Sequence, residues 1–303
     1  MNHVVKNADR LLTVSEWGKR TGTPVLLLHG TPGSRLGVAP RPSVLYQLGI
    51  RLIAYDRPGY GDSDRHMGRT VGDAAADVEA IAKQLEIEEF AVLGRSGGGP
   101  HALACAALLP GLVTRAAALV SLAPKVEQAG GMGASWYEGM TEGNVEVYLR
   151  AEQGIDQIAP GLTERSSTIR ADPSVMLTQL LDEVKASDRQ VMSDAGIRRM
   201  LRVNYQEALR DTGDGWIDDA MAFIGDWGFR VEDIKVPVLL WHGKEDRFSP
   251  VRHSQWLHSR IPGSRLELAE GKAHFAAVSA LPGILPWLKQ PREVTTSAAP
   301  AHD

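Results

Sequence analysis

Short, unbroken apolar runs recur along the chain, each bounded by glycine, proline or polar residues. Residues 25–28 (VLLL) sit between Pro24 and Gly30, residues 52–55 lead into the turn-rich DRPGYGDSD, and residues 90–93 enter a glycine cluster. Residues 116–121 and 238–241 repeat this texture, and 266–268 read as one more short strand. Runs that are apolar at every position, instead of every second one, are the mark of strands buried on both faces. Between them the spacing turns helical. A helix is predicted over about 71–85, with Thr70 as N-cap and a stripe through Val78, Ile81 and Leu85. Further helices are predicted over about 98–109, 251–259 and 276–288. Strands alternating with helices imply an α/β fold with a mainly parallel sheet covered on both faces. The VSEWG stretch near the N-terminus is expected to supply an antiparallel edge.

Between Lys125 and about Arg230 the apolar β runs stop and helical periodicity takes over. The expected organisation is therefore a core formed by 1–124 and 231–290, a helical cap over 125–230, and a polar, flexible tail over 291–303. The aromatic and methionine side chains of the insertion are expected mainly as packing. An insertion leaving the end of a central strand must nonetheless line a pocket with some of them. Trp136 and Tyr137, which follow that strand most closely, are the candidate substrate-binding walls.

The chemistry concentrates in AVLGRSGGGPHALACA, residues 91–106. Ser96 stands among Gly94, Gly97, Gly98 and Gly99 where a strand must reverse into a helix, the context required of a G-x-S-x-G nucleophile turn. An activated serine needs a base, an acid to orient that base, and donors for an oxyanion. The loop HGTPGS after the first central strand offers the Thr31 amide, which joins the Gly97 amide as a candidate oxyanion hole. Asp246 lies in a loop after a later strand (HGKEDRFSP) and His274 follows the last one (EGKAHF). The chain order is Ser96, Asp246, His274. Among the other histidines, His29 is read as structural, His101 as facing away or packing, and His242 as part of a strand-end turn. Asp246 is preferred to Glu245 for its shorter reach, and Asp56 is read as a loop-ordering residue. Arg95, beside the serine, has two readings: it pairs with a substrate carboxylate or a cap acid, or, as favoured here, it hydrogen-bonds neighbouring loop carbonyls.

Bulk properties narrow the field. A net charge of -4 leaves no basic footprint for nucleic acid. One cysteine excludes an internal disulfide, and no apolar run is long enough to span a bilayer. A cytoplasmic protein acting on a small molecule is expected, with no nucleic-acid or membrane partner, and a homodimer is left open. The scattered histidines suggest no metal site, and the serine chemistry calls for no cofactor.

With HGTPGS, YDRPGYGDSD, GRSGGG, HGKEDRFSP and GKAHF in hand, the chain resembles the α/β-hydrolase superfamily, in the capped group related to esterases, haloperoxidase-like enzymes and prolyl iminopeptidases. The motifs span about 25–288. The resemblance implies a serine hydrolase cleaving an ester, thioester or lactone of a small, largely apolar substrate through an acyl-enzyme. Two alternatives stay open: the same triad used for C–C cleavage, acyl transfer or cyclisation, and a noncatalytic binding protein on this fold. Serine at position 96, where some relatives carry aspartate, argues against epoxide opening and dehalogenation.

Overall fold

The computed structural model describes residues 1–127 and 130–292. Eight strands form one sheet: β1 (Asn2–Asn7), β2 (Arg10–Gly18), β3 (Thr23–Leu28), β4 (Ile50–Tyr55), β5 (Phe90–Arg95), β6 (Val113–Leu119), β7 (Val238–Gly243) and β8 (Arg265–Ala269). Their order is β1-β2-β4-β3-β5-β6-β7-β8. The first two pairings, β1 with β2 and β2 with β4, are antiparallel and the rest are parallel. VSEWG thus lies in β2, but β2 is not the edge: β1, which its mixed sequence did not reveal, covers it with a register from Asn2 opposite Ser15 to Asn7 opposite Arg10.

Alternation along each buried strand feeds two apolar layers. Val25, Leu27, Ala91, Leu93 and Leu239 pack under α1 (Pro42–Leu48) and α11 (Ala276–Leu288). Leu26, Leu28, Val92 and Leu240 face α2 (Ala74–Gln84), α3 (Gly98–Leu108) and α10 (Arg252–Arg260). Because both faces are covered, each of these strands is apolar at successive positions along its middle. Helix α2 begins at Ala74, later than its apolar stripe suggested. Thr70 does not cap it. The Thr70 amide and hydroxyl instead donate to the Asp73 carboxylate at 2.7 and 2.9 Å, forming a turn ahead of the helix.

Among the described residues six α-helices lie between β6 and β7: α4 (Glu142–Glu152), α5 (Ile155–Ala171), α6 (Ser174–Glu183), α7 (Ala186–Met192), α8 (Ala195–Ala208) and α9 (Asp214–Ile224). Thr141 caps α4 and Asp194 caps α8 through their side-chain oxygens. Ile158, Leu162, Leu177 and Leu201 build the insertion's own apolar interior, while Phe223 of α9 is buried toward the sheet. Of the expected flexible tail, Arg292 donates to the carbonyls of Pro110 and Gly111 at 2.8 and 2.9 Å, and 293–303 lie outside the described residues. Among the described residues no helix is long and apolar enough to cross a membrane.

Strand order reverses between β3 and β5, since the chain steps from β3 outward to β4 and then returns to β5 on the other side. A crevice must open at that point beyond the carboxyl ends of the two strands. Thr31 follows β3 and Ser96 follows β5, so the fold places both at its rim.

Candidate active site

Ser96 occupies the turn between β5 and α3 with φ of +56°, a left-handed conformation that a residue with a Cβ adopts only when its surroundings force it. The force here is close packing. A methyl group at Gly98 would lie 2.0 Å from the Leu28 carbonyl oxygen, and one at Gly97 would lie 2.2 Å from Thr31 Oγ1. Glycine is required at both positions so that helix α3 can start against β3 and the Thr31 loop. The turn is tied to the sheet by the Ser96 amide, which donates to the Leu119 carbonyl at 2.9 Å.

His274 Nε2 stands 3.0 Å from Ser96 Oγ, and its Nδ1 stands 2.8 Å from Asp246 Oδ2. The tautomer protonated at Nδ1 satisfies both contacts: Nδ1–H donates to the carboxylate, and Nε2 accepts from the serine hydroxyl. Asp246 is buried, and its other oxygen accepts the amides of Phe248 and Ser249 at 2.8 and 3.1 Å. Burial alone would raise its carboxyl, but the adjoining imidazoles of His274 and His242 hold it well below the usual carboxylate range. His242 is a contributor that strand-end position alone did not reveal. Its Nε2–H donates to the Ser249 carbonyl at 2.6 Å and lies 3.3 Å from Asp246 Oδ2, while Nδ1 accepts from Ser254 Oγ at 2.7 Å. Glu245, the rejected acid, accepts from Ser187 of the insertion at 2.8 Å instead.

A cleft of about 920 Å³, counting the space at its mouth, opens above Ser96. Thr31 and Gly97 line it, and neither amide has a hydrogen-bond acceptor among the described residues. Leu122, Val147, Met176, Leu180, Trp216, Phe223, Phe248 and Phe275 supply apolar walls, and Arg95, Arg165 and Glu183 supply charge. Trp136 and Tyr137 do not line this cleft, which corrects the expectation that they wall it. Trp136 is fully buried, donates its indole N–H to the Ala123 carbonyl at 2.7 Å, and packs edge-on against Tyr148 and His253. Tyr137 turns to Glu152, with its hydroxyl donating at 2.9 Å. Their 3₁₀ turn (Gly133–Tyr137) runs alongside the root of the insertion, so nearness in sequence to β6 brings them between Tyr148 of the insertion and His253 of α10 and not over the serine.

The Thr31 loop is held by an ionic network that the sequence did not disclose. Asp219, on α9 and fully buried, pairs with Arg57 at 2.5 Å and Arg69 at 2.6 Å, and accepts from Tyr60 at 2.8 Å and Thr31 Oγ1 at 2.5 Å. Burial opposes its ionisation, yet the two guanidinium groups hold the carboxyl well below its ordinary value. His101 packs, the second of its two readings, fully buried and edge-on against Phe223. It donates from Nδ1 to the Gly97 carbonyl at 2.7 Å, and burial together with Arg57 keeps it neutral, pushing it down to about 3. His29 bridges its neighbour Gly30 and the Arg57 amide at 2.8 and 3.1 Å. Asp56 accepts the Arg35 amide at 2.6 Å and orders the loop, as its place in DRPGYG suggested. The Arg95 side chain makes no hydrogen bond or ion pair among the described residues, so the favoured reading of a tie to loop carbonyls does not hold.

Fold and site define an α/β scaffold of the hydrolase type. The chain belongs to the alpha/beta hydrolase fold family, whose model matches residues 23–280. Among curated relatives, it is 26% identical over 289 residues to the 2-hydroxy-6-oxononadienedioate/2-hydroxy-6-oxononatrienedioate hydrolase of Escherichia coli, covering 88% of this chain and 90% of that one. It is 38% identical over 113 residues to a non-heme chloroperoxidase of Streptomyces lividans, a match spanning 37% of this chain and 41% of the relative. Among solved structures, an esterase from Exiguobacterium antarcticum superposes with a TM-score of 0.68 at 23% identity, covering 95% of this chain and 98% of that one.

Proposed function

We propose that the protein is a serine hydrolase that cleaves an ester, thioester or lactone of a small, largely apolar substrate through an acyl-enzyme. The observation that carries this reading is the continuous relay from Ser96 Oγ through His274 to Asp246, at 3.0 and 2.8 Å. A serine hydroxyl is a weak nucleophile at neutral pH, so His274 takes its proton as Oγ attacks the substrate carbonyl. Asp246 keeps the imidazole in the tautomer that can accept that proton and stabilises the cation that forms. The carbonyl oxygen becomes an oxyanion between the Thr31 and Gly97 amides, each such donor contributing about 3 kcal/mol to the transition state. His274 returns the proton to the departing alcohol, thiol or ring oxygen. Water, deprotonated by the same imidazole, then releases the acid. Helices α4–α9, within 125–230, act as a cap that closes the cleft and excludes water from it.

The second reading, C–C cleavage by the same residues, is favoured by the hydrolase relative from Escherichia coli, whose match covers most of both chains. A fluorophosphonate probe and a series of 4-nitrophenyl esters test the first. The wild type is expected to be labelled and to turn over medium-chain esters, and Ser96→Ala to do neither. Labelling of Ser96 without turnover of any ester or thioester would move the assignment to the second reading. Equal labelling of both proteins would remove Ser96 as nucleophile.

A further inference from the structure

Arg95 is the last residue of β5 and the immediate neighbour of Ser96. Along β5, Ala91 and Leu93 point to the α11 side of the sheet, and the alternation sends Arg95 the same way. At the strand's end the side chain runs between the cleft and a small recess behind it, lined by His29, Ser34 and Asn204 together with the apolar Leu27 and Leu281. A Cβ at Gly30 would lie 3.6 Å from Arg95 Nη2, so the guanidinium reaches the base of the Thr31 loop.

Three buried arginines near the site each have an acid, whereas the half-buried Arg95 does not. Arg35 pairs with Asp56, and Arg57 and Arg69 pair with Asp219. Arg95 has none within ion-pairing distance, and its Nη1, shut off from solvent, meets no acceptor among the described residues. Removing a guanidinium from water is costly unless a hydrogen-bonding anion replaces the water. The acids nearest in effect are already engaged: Asp246 holds His274, and Asp188 accepts two backbone amides. An arginine in a ligand cleft with its fork free is built to receive a planar anion from the ligand.

We propose that the substrate carries a carboxylate and that Arg95 binds it, while the body of the substrate lies against the apolar walls. The proposal rests on the reading of Ser96 as nucleophile, and it specifies the substrate class for that site. A monoanion fits better than a phosphate dianion, because Glu183 lines the same cleft and Asp188 and Asp246 add negative charge close by. Arg165, on α5, is a second cation at this cleft. It is partly satisfied by Gln179 at 3.2 Å and lies over the Trp216 ring, so it supplies field more than a free fork.

A matched pair of esters tests this: 4-nitrophenyl hydrogen adipate and 4-nitrophenyl hexanoate, which differ by a terminal carboxylate in place of a methyl group. With uncatalysed hydrolysis subtracted, wild-type kcat/KM is expected to favour the half-acid by about tenfold or more, and Arg95→Met to lose that preference. Arg95→Lys, a point charge without the fork, should keep part of it. A wild-type ratio at or below one overturns the proposal, and this holds even where Arg95→Met fails to fold. An unchanged ratio in Arg95→Met with a displaced pH profile also overturns it, and would make Arg95 an electrostatic counterweight to Asp188 and Asp246. Calorimetric binding of adipate to Ser96→Ala and to Ser96→Ala/Arg95→Met separates this proposal from the hydrolase reading. Binding that depends on Arg95 supports the carboxylate site even if neither ester is turned over. Adipate binding of equal strength in both proteins counts against it.

Discussion

Asp188, on helix α7 of the insertion, accepts the backbone amide of His274 at 3.0 Å and that of Phe275 at 2.8 Å. One carboxylate from the insertion therefore fixes the loop that carries the candidate base. Burial raises this carboxyl, although His274 and the two amides favour its charge. The position of the imidazole is thus a joint property of core and insertion.

Replacing Asp188 with alanine leaves two buried amides without an acceptor, at a cost of about 1–3 kcal/mol each where water cannot reach them. Urea unfolding should show that loss. Ester kcat should fall about tenfold with a smaller change in KM, because a displaced base harms proton transfer more than binding. Asp188→Asn, which keeps one acceptor, should be intermediate. Lost stability with kcat intact would reduce Asp188 to a structural clamp.

Asp219 neutralises two buried arginines and anchors Thr31 Oγ1. Asp219→Ala is expected to destabilise the protein by about 3–5 kcal/mol, the usual consequence of leaving a buried charge without its partner. A refolded or low-temperature preparation should also show reduced kcat, since the Thr31 loop loses its anchor. If unfolding by urea is shifted by less than 1 kcal/mol, or about that, the network is not sealed from water as its geometry implies.

Trp136 and Leu180 should behave in opposite ways. Trp136→Phe removes the indole donor from the Ala123 carbonyl and should lower stability by about 1–3 kcal/mol while leaving the ranking of acyl chains unchanged. Leu180 lines the cleft, so Leu180→Ala should shift the ranking toward bulkier acyl groups. A kcat/KM series over chain length reads both, and a changed ranking in Trp136→Phe would return that residue to the pocket.

Acid should unfold the protein early. Burial holds His29 well below its ordinary value and pushes His101 and His253 down to about 3. The unfolded chain takes up these protons near pH 6.5 and the native protein does not, so stability present above pH 6.5 is lost as pH falls from there toward 3. Between pH 7 and 5.5 the three together cost roughly 4 kcal/mol. Asp56, which burial raises to about 6 against the pull of Arg35, binds its proton in the native state first and gives back roughly 1 kcal/mol over the same range. Urea midpoints taken from pH 7.5 to 5 should therefore decline steeply, by a net of roughly 3 kcal/mol at pH 5.5. A flat profile would mean that these imidazoles are hydrated in solution.

Much of this molecule is written in local patterns. Apolar runs of four to six residues sufficed to place β3 to β7, because the middles of strands covered on both faces are apolar at successive positions. The serine turn was legible because a strand-to-helix reversal this tight excludes side chains at Gly97 and Gly98. The order Ser96, Asp246, His274 was legible because each residue follows a strand of one parallel sheet, and a parallel sheet brings all its strand ends to one edge. By contrast, β1 carries only alternate burial on an exposed edge, and its sequence is too mixed to stand out.

What the tertiary structure decided was the pairing of distant charges and the true lining of the cleft. Arg57 meets Asp219 across 162 positions, and Asp188 meets His274 across 86. Nothing in either local window distinguishes these acids from solvated ones on a helix surface. Their partners are set by how the insertion docks, and docking is a matter of packed shapes, not of period or motif. The same holds for Trp136, whose place near β6 in the chain brought it to a buried seam, while Leu180 and Trp216, far along the insertion, were carried to the serine. Arg95 lies between the two cases: its position beside Ser96 is a fact of sequence, but that its guanidinium has no acid among the described residues follows only from where Asp188 and Asp246 are already engaged.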